Sequence, residues 1–87
     1  MSVAAGIETT LAQALAPTEL VVRDDSALHA GHAGAREGGH YAVRIRSPRF
    51  AGLSRVARHR LVYDALGPLI ARGVHALAIE ALAPDED

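Results

Sequence analysis

Between His40 and Leu82 the hydrophobic period of the chain changes twice, and few folds are compatible with that. In "HYAVRIRS" (40 to 47), Tyr41, Val43 and Ile45 fall on one side. His40, Ala42, Arg44 and Arg46 fall on the other. A period of two is a half-buried strand. From Arg55 to about Arg72 the spacing is helical, with His59, Val62, Tyr63, Leu66, Leu69 and Ile70 forming an apolar stripe. Ser54 suits an N-cap and Gly73 a C-cap. Pro68 removes the hydrogen bond to Asp64, so it is expected to kink this helix or start a new turn. "GVHALAIEAL" (73 to 82) is again strand-like. Strand, helix, strand in that order predicts a parallel pair joined by a right-handed crossover.

The residues before this unit complete the sheet. Val3, Ile7, Leu11 and Leu15 recur every four residues and predict an amphipathic helix that ends at Ala16-Pro17. "ELVVRD" (19 to 24) reads as a strand. "DSALHAGHAGAREGG" (25 to 39) has four glycines and no period, so it is a long loop between two antiparallel strands. The fold class expected is α+β, in the order αββαβ, with a three-stranded mixed sheet covered by helices on one face.

With 87 residues the chain is expected to be a single domain over 1–87. Its ordered core should run from about 3 to 83, with an acidic tail at 84–87. There is no cysteine, which excludes disulfides and thiolate ligands from this chain. No apolar run reaches the length of a membrane span, and no basic residue precedes Arg23. A cytoplasmic location and no membrane contact are the expectation. No nucleophile–base pair, catalytic carboxylate pair or phosphate loop is evident, so the chain is not expected to be an enzyme.

The charges are sorted. Arg44, Arg46, Arg49, Arg55, Arg58 and Arg60 lie between Gly38 and Tyr63 with no acid among them, while Glu80, Asp85, Glu86 and Asp87 crowd the last eight residues. The basic middle suits nucleic acid or an acidic protein surface, or is an ordinary solvated surface.

The topology makes a prediction about the histidines. The hairpin loop sits where the second strand begins, and a strand parallel to it begins at the same end. His29, His32, His40 and His75 should therefore gather there. Imidazole is the commonest side-chain metal ligand, and converging histidines without thiolates suit zinc, copper or iron. A structural histidine is the ordinary alternative at each position. His59 is expected to be remote from the others, inside the core and bonded to a backbone carbonyl. Leu61 should point away from the stripe, toward solvent.

"SPRFAGLSRVARHRLVYDALGPLIARGVHALAIEAL" resembles the BolA family. The likeness rests on "RF-A-G" at 49 to 52, "RHRLVYDAL" at 58 to 66 and "HALAI" at 75 to 79, with "DDSALHAGHAGAR" at 24 to 36 similar to the loop of bacterial members. It runs from about Leu20 onward. The resemblance implies a fold related to the type II KH domain. It implies partnership with a monothiol glutaredoxin, in a heterodimer that holds a [2Fe-2S] cluster. The glutaredoxin and glutathione would supply sulfur, and this chain would supply His75 and His29. The cluster would be shared between the two proteins, with none held by this chain alone. His32 is a second candidate in the loop and His40 a further one. Roles in iron–sulfur trafficking or in iron and stress regulation are implied. One difference stands out: many relatives open the second strand with Thr-His-Phe or Ser-His-Phe, and this chain has Gly39-His40-Tyr41. The free protein is expected to be a monomer or a weak homodimer.

The alternative is a KH-like DNA-binding regulator that uses an arginine-rich face, with Arg49, Arg55, Arg58 and Arg60 as its contacts. The letters of "GHAG" (31 to 34) match the GxxG loop of KH domains, but here they fall in a strand–strand hairpin rather than between helices. Aromatic stacking platforms are scarce, since both tyrosines are expected to be buried.

Overall fold

The spacing of Ile7, Leu11 and Leu15 puts three large side chains on one face of the first helix, α1 (Val3–Leu15), and all three are buried. The computed structural model describes residues 3–25 and 39–86, with His75 described by its main chain. Helix α1 stops at Ala16, whose φ of 45° lies in the left-handed region, and Pro17 follows. That conformation costs a non-glycine residue about 1–2 kcal/mol.

Strand β1 (Glu19–Asp24) pairs antiparallel with β2 (Gly39–Arg46), with Leu20 opposite Ile45 and Val22 opposite Val43. Strand β3 (Val74–Leu82) lies on the other side of β2 and runs parallel to it, with Val43 opposite Ile79. The sheet order is β1-β2-β3. This is the expected α+β arrangement, including the antiparallel hairpin and the parallel crossover. Alternation places Tyr41, Val43 and Ile45 in the core against Ile7, Leu11, Phe50, Val62 and Leu66. Among the described residues the opposite face carries no helix. There Arg44, on the central strand, reaches Glu19 of one edge at 2.9 Å and Glu80 of the other at 2.7 Å.

Between β2 and the next helix, residues Pro48–Phe50 form a single 3₁₀ turn. Phe50 is fully buried, and Gly52 takes a φ of 76°, a conformation that glycine adopts without steric cost. Ser54 caps α2 (Arg55–Ala65) as expected, its hydroxyl accepting from Ala57 N–H at 3.1 Å. The single helix drawn to about Arg72 is divided in two. It breaks at Leu66, and α3 (Gly67–Gly73) restarts with Pro68 in its first turn, where no N–H is needed.

The stripe drawn on that helix also needs correction. Val62 and Leu66 are fully buried, but Tyr63 is 41% exposed, while Leu61 packs against the core. Helix α2 lies along β3, an edge strand. The side of the helix bearing His59 and Tyr63 overhangs that edge: the Tyr63 hydroxyl points to the Leu77 carbonyl at 3.4 Å, and His59 shares a groove with Ile79 and Leu82. His59 has no carbonyl partner among the described residues.

The acidic end of the chain folds back onto the basic middle. The Arg58 guanidinium, only 12% exposed, donates to the carbonyls of Leu53 (3.0 Å) and Ala81 (3.1 Å) and to both carboxylate oxygens of Glu86. Glu86 also accepts from Ala83 N–H at 2.7 Å. Arg58, then the Ala83 N–H, hold the Glu86 carboxyl at about 2, below its ordinary 4.5. Glu19 is lowered too, by Arg46 and Arg44. A carboxylate whose pKa is depressed on folding stabilises the fold fully above its unfolded value and loses that contribution as pH falls through the folded one. The melting temperature is therefore expected to decline from about pH 4.5 toward pH 2. Glu86→Gln should flatten that decline, leaving only the part due to Glu19. Thermal melts at stepped pH check this, and parallel curves for the variant and the parent would contradict it.

Candidate metal centre

The pairing of β2 with β3 slips by one residue at its start. Gly39 stands opposite Val74 and His40 opposite Ala76, so His75 is the extra residue of a β-bulge. Bulges occur where a strand must break strict alternation and are frequent beside functional sites. The sequence did not announce this one, because it falls at the second residue of β3, before any alternation is established.

The same end of the sheet is where the hairpin loop departs and returns. Asp25 N–H donates to the His40 carbonyl at 2.7 Å, which closes the loop's base beside the bulge. The main chains of His40 and His75 are thus neighbours, as the topology requires. His29 and His32 lie outside the described residues. Their approach to His75 stands as an expectation of the chain's connectivity. His40 alternates onto the helix-free face with Ala42 and Arg44. His59, against residues 79–82, is at the other end of β3, as expected. Among the described residues no three His, Cys, Asp or Glu side chains converge to hold a metal. No helix among them is long and apolar enough to cross a membrane.

On the core side of this end stands a second unusual feature. A Cβ on Gly39 would lie 2.5 Å from the hydroxyl oxygen of Tyr41 and 2.6 Å from the ring carbon that bears it. The Tyr41 ring therefore folds back along its own strand and fills the space a side chain at position 39 would take. Only glycine permits that approach.

The arginines sort into two groups. Arg44, Arg46 and Arg58 are engaged within the molecule, with Arg46 reaching Glu19 at 3.0 Å and the Ala83 carbonyl at 3.2 Å. Charge segregation along the chain thus becomes charge pairing in space. Arg49, Arg55 and Arg60 are exposed and make no ion pair among the described residues. Arg58 is the member of the expected nucleic-acid set that the fold itself occupies.

A family model described as BolA-like protein matches residues 11–86. An uncharacterized protein from the cobS 5′ region of Sinorhizobium is 46% identical over 89 residues, covering 99% of this chain and 96% of that protein. BolA-like protein 1 of Mus musculus is 46% identical over 82 residues, covering 94% of this chain but 58% of the mouse protein. The structure of the BolA domain of SufE1 from Arabidopsis thaliana matches with a TM-score of 0.85 at 45% identity, over 97% of this chain and 94% of that one.

Proposed function

Because this chain belongs to the BolA family, we propose that it is a non-enzymatic iron–sulfur accessory protein that pairs with a monothiol glutaredoxin and contributes His75 and His29 to a shared [2Fe-2S] cluster. The observation that carries this reading is the bulge: it sets the main chain of His75 beside the base of the loop that bears His29. His29 is four residues beyond Asp25, a span of at most about 14 Å of chain, so the loop is long enough to bring it to the bulge. The occurrence of a BolA domain in a SufE protein is consistent with an iron–sulfur role.

The donor chemistry fits a shared centre. This chain has no thiolate, so it offers nitrogen alone, and sulfur must come from the partner. Histidine in place of cysteine makes the cluster less negative and raises its potential. The bound cluster supplies redox or transferable iron–sulfide chemistry. This chain's imidazoles supply ligands that can take up a proton, which gives the cluster a route of release.

The test is reconstitution with a monothiol glutaredoxin, glutathione, iron and sulfide, followed by visible absorption and circular dichroism. A 1:1 complex should form whose spectrum differs from that of the cluster-bearing glutaredoxin alone. His75→Ala should abolish the difference, and His29→Ala should weaken it. Retention of the full difference in both variants would overturn the ligand assignment. His32→Ala separates the two loop candidates. In the same samples, Arg55→Ala with Arg60→Ala should leave the spectrum unchanged. A salt-sensitive loss of duplex DNA binding in that double variant would instead favour the nucleic-acid reading.

A further inference from the structure

The two outer edges of the sheet differ. Helix α2 shields the edge along β3: the Tyr63 hydroxyl donates to the Leu77 carbonyl at 3.4 Å and Arg58 to the Ala81 carbonyl at 3.1 Å. No such shield lies on β1 among the described residues. Asp25 continues the register of Asp24 opposite Tyr41, and its N–H donates to the His40 carbonyl, so 25 and 40 are a hydrogen-bonded pair. Bonded and non-bonded pairs alternate along an antiparallel ladder. Arg23 and Val21 therefore turn their main-chain groups toward β2, while Leu20 and Val22 turn theirs outward. Those outward groups have no partner among the described residues. An open edge of this kind is a template for another strand.

The side chains say which strand fits. Glu19, Val21 and Arg23 alternate onto the helix-free face, where Val21 stands opposite Arg44. Val21 is 54% exposed, one of the few large apolar side chains left in solvent. Glu19 and Arg23 lie symmetrically on either side of it and carry opposite charges. Charges usually protect an edge by repelling its like. These two are arranged to attract a copy of the same strand running the other way.

We propose that two copies of this chain pair through β1, antiparallel about a two-fold axis at Val21, to form a continuous six-stranded sheet. In that register Leu20 and Val22 of each copy exchange main-chain hydrogen bonds with Val22 and Leu20 of the other. Val21 meets Val21 of the second copy as a non-bonded pair, the closer of the two pair types. Glu19 faces Arg23 of the second copy, twice over, and opposite charges directly across a ladder are stabilising. Arg23 bonds Asp25 through Nε and Nη2, which leaves Nη1 for this contact. Each oxygen of Glu19 accepts from one arginine and can accept again. Neighbouring registers fail: an axis at Val22 sets Glu19 against Asp25, and an axis at Leu20 sets Arg23 against Pro17. The interface is isologous and closes at two copies. The proposal does not rest on the functional reading, since β3 and its bulge lie at the opposite edge of the sheet.

The first test is sedimentation of the parent from micromolar to millimolar concentration. Its weight-average mass should climb from 9.1 kDa toward twice that value. Val21→Lys puts like charges on the axis, and Arg23→Glu turns both attractive pairs repulsive. Each should weaken the dimer roughly tenfold or more while melting within a few degrees of the parent, because both positions are exposed. The second test fixes the register. The chain has no cysteine, so a disulfide formed by Val21→Cys joins two copies at that residue. With oxidised glutathione as oxidant, Val21→Cys should form covalent dimer at least about ten times faster than Arg23→Cys, because a non-bonded pair sits at about 4.5 Å between Cα atoms, within disulfide reach. A parent that stays monomeric at millimolar concentration overturns the proposal. So does a dimer undiminished by Val21→Lys and Arg23→Glu, which would place the contact elsewhere, and so do equal cross-linking rates at the two cysteine positions.

Discussion

Phe50→Ala is expected to destabilise the protein by about 3–5 kcal/mol, the usual range for deleting a fully buried phenylalanine. Phe50 has no exposed surface and is among the largest fully buried side chains in the core. It enters from the 3₁₀ turn after β2 and sits with Ile7, Leu11, Ile45, Val62 and Leu66. It thus belongs to a core contributed by the sheet and two helices. A domain of this size has a total stability on the order of 4–13 kcal/mol, so the loss removes roughly a quarter of it or more and, at the low end of that range, leaves the variant close to half unfolded. Arg49→Ala, one residue away and exposed, should change stability by no more than about 0.5 kcal/mol. Urea unfolding of the three proteins, with equal m-values, checks the contrast. If Phe50→Ala lost less than about 1 kcal/mol, the packing described for this turn would be wrong.

That contrast bears on how the "RF-A-G" stretch is understood. It helped to reveal the family, and a short motif of that kind invites a functional reading. In the structure Phe50 is core and Gly52 supplies a turn with positive φ, so two of its four letters are about folding. Arg49 is the charged residue that the motif leaves on the surface for a partner.

The elements were legible in the sequence because each has a clean period and a chemical stop. The four-residue spacing in α1, the alternation in β2, the Ser54 cap and the break before Pro68 all describe local physics, and the structure keeps them. The readings that failed needed knowledge of neighbours. Tyr63 and Leu61 exchange roles because α2 lies along the sheet's border, and a helical wheel contains no border. The pairing of Arg58 with Glu86 joins residues 28 apart, and composition showed the charges sorted without showing that they meet. At the candidate site, the adjacency of His40 and His75 followed from the parallel crossover alone. The bulge at His75 and the clamp of Tyr41 over Gly39 did not, since both depend on main-chain register and the direction of one ring.

Ser47 is the residue whose importance the sequence conceals most, and Ser47→Ala is expected to cost about 2–4 kcal/mol. In "SPRF" it reads as a turn residue ahead of a proline. It is in fact the only fully buried polar side chain among the described residues. Its hydroxyl donates to the Leu15 carbonyl at 2.6 Å, satisfying the C-terminal end of α1, and accepts from Arg49 N–H at 3.1 Å, capping the turn that carries Phe50. Its own N–H reaches the Leu82 carbonyl at 3.0 Å, so the same residue also ties down the end of β3. Alanine keeps the last bond and loses the first two, leaving a buried carbonyl without a donor. The loss should exceed that of Ser54→Ala, whose hydroxyl caps α2 at an exposed position and is worth about 1 kcal/mol. Ser47→Cys, with a weak donor of similar shape, should fall between alanine and the parent. Equal losses for Ser47→Ala and Ser54→Ala in denaturant titrations would mean that the buried hydroxyl is not the latch between α1 and the sheet.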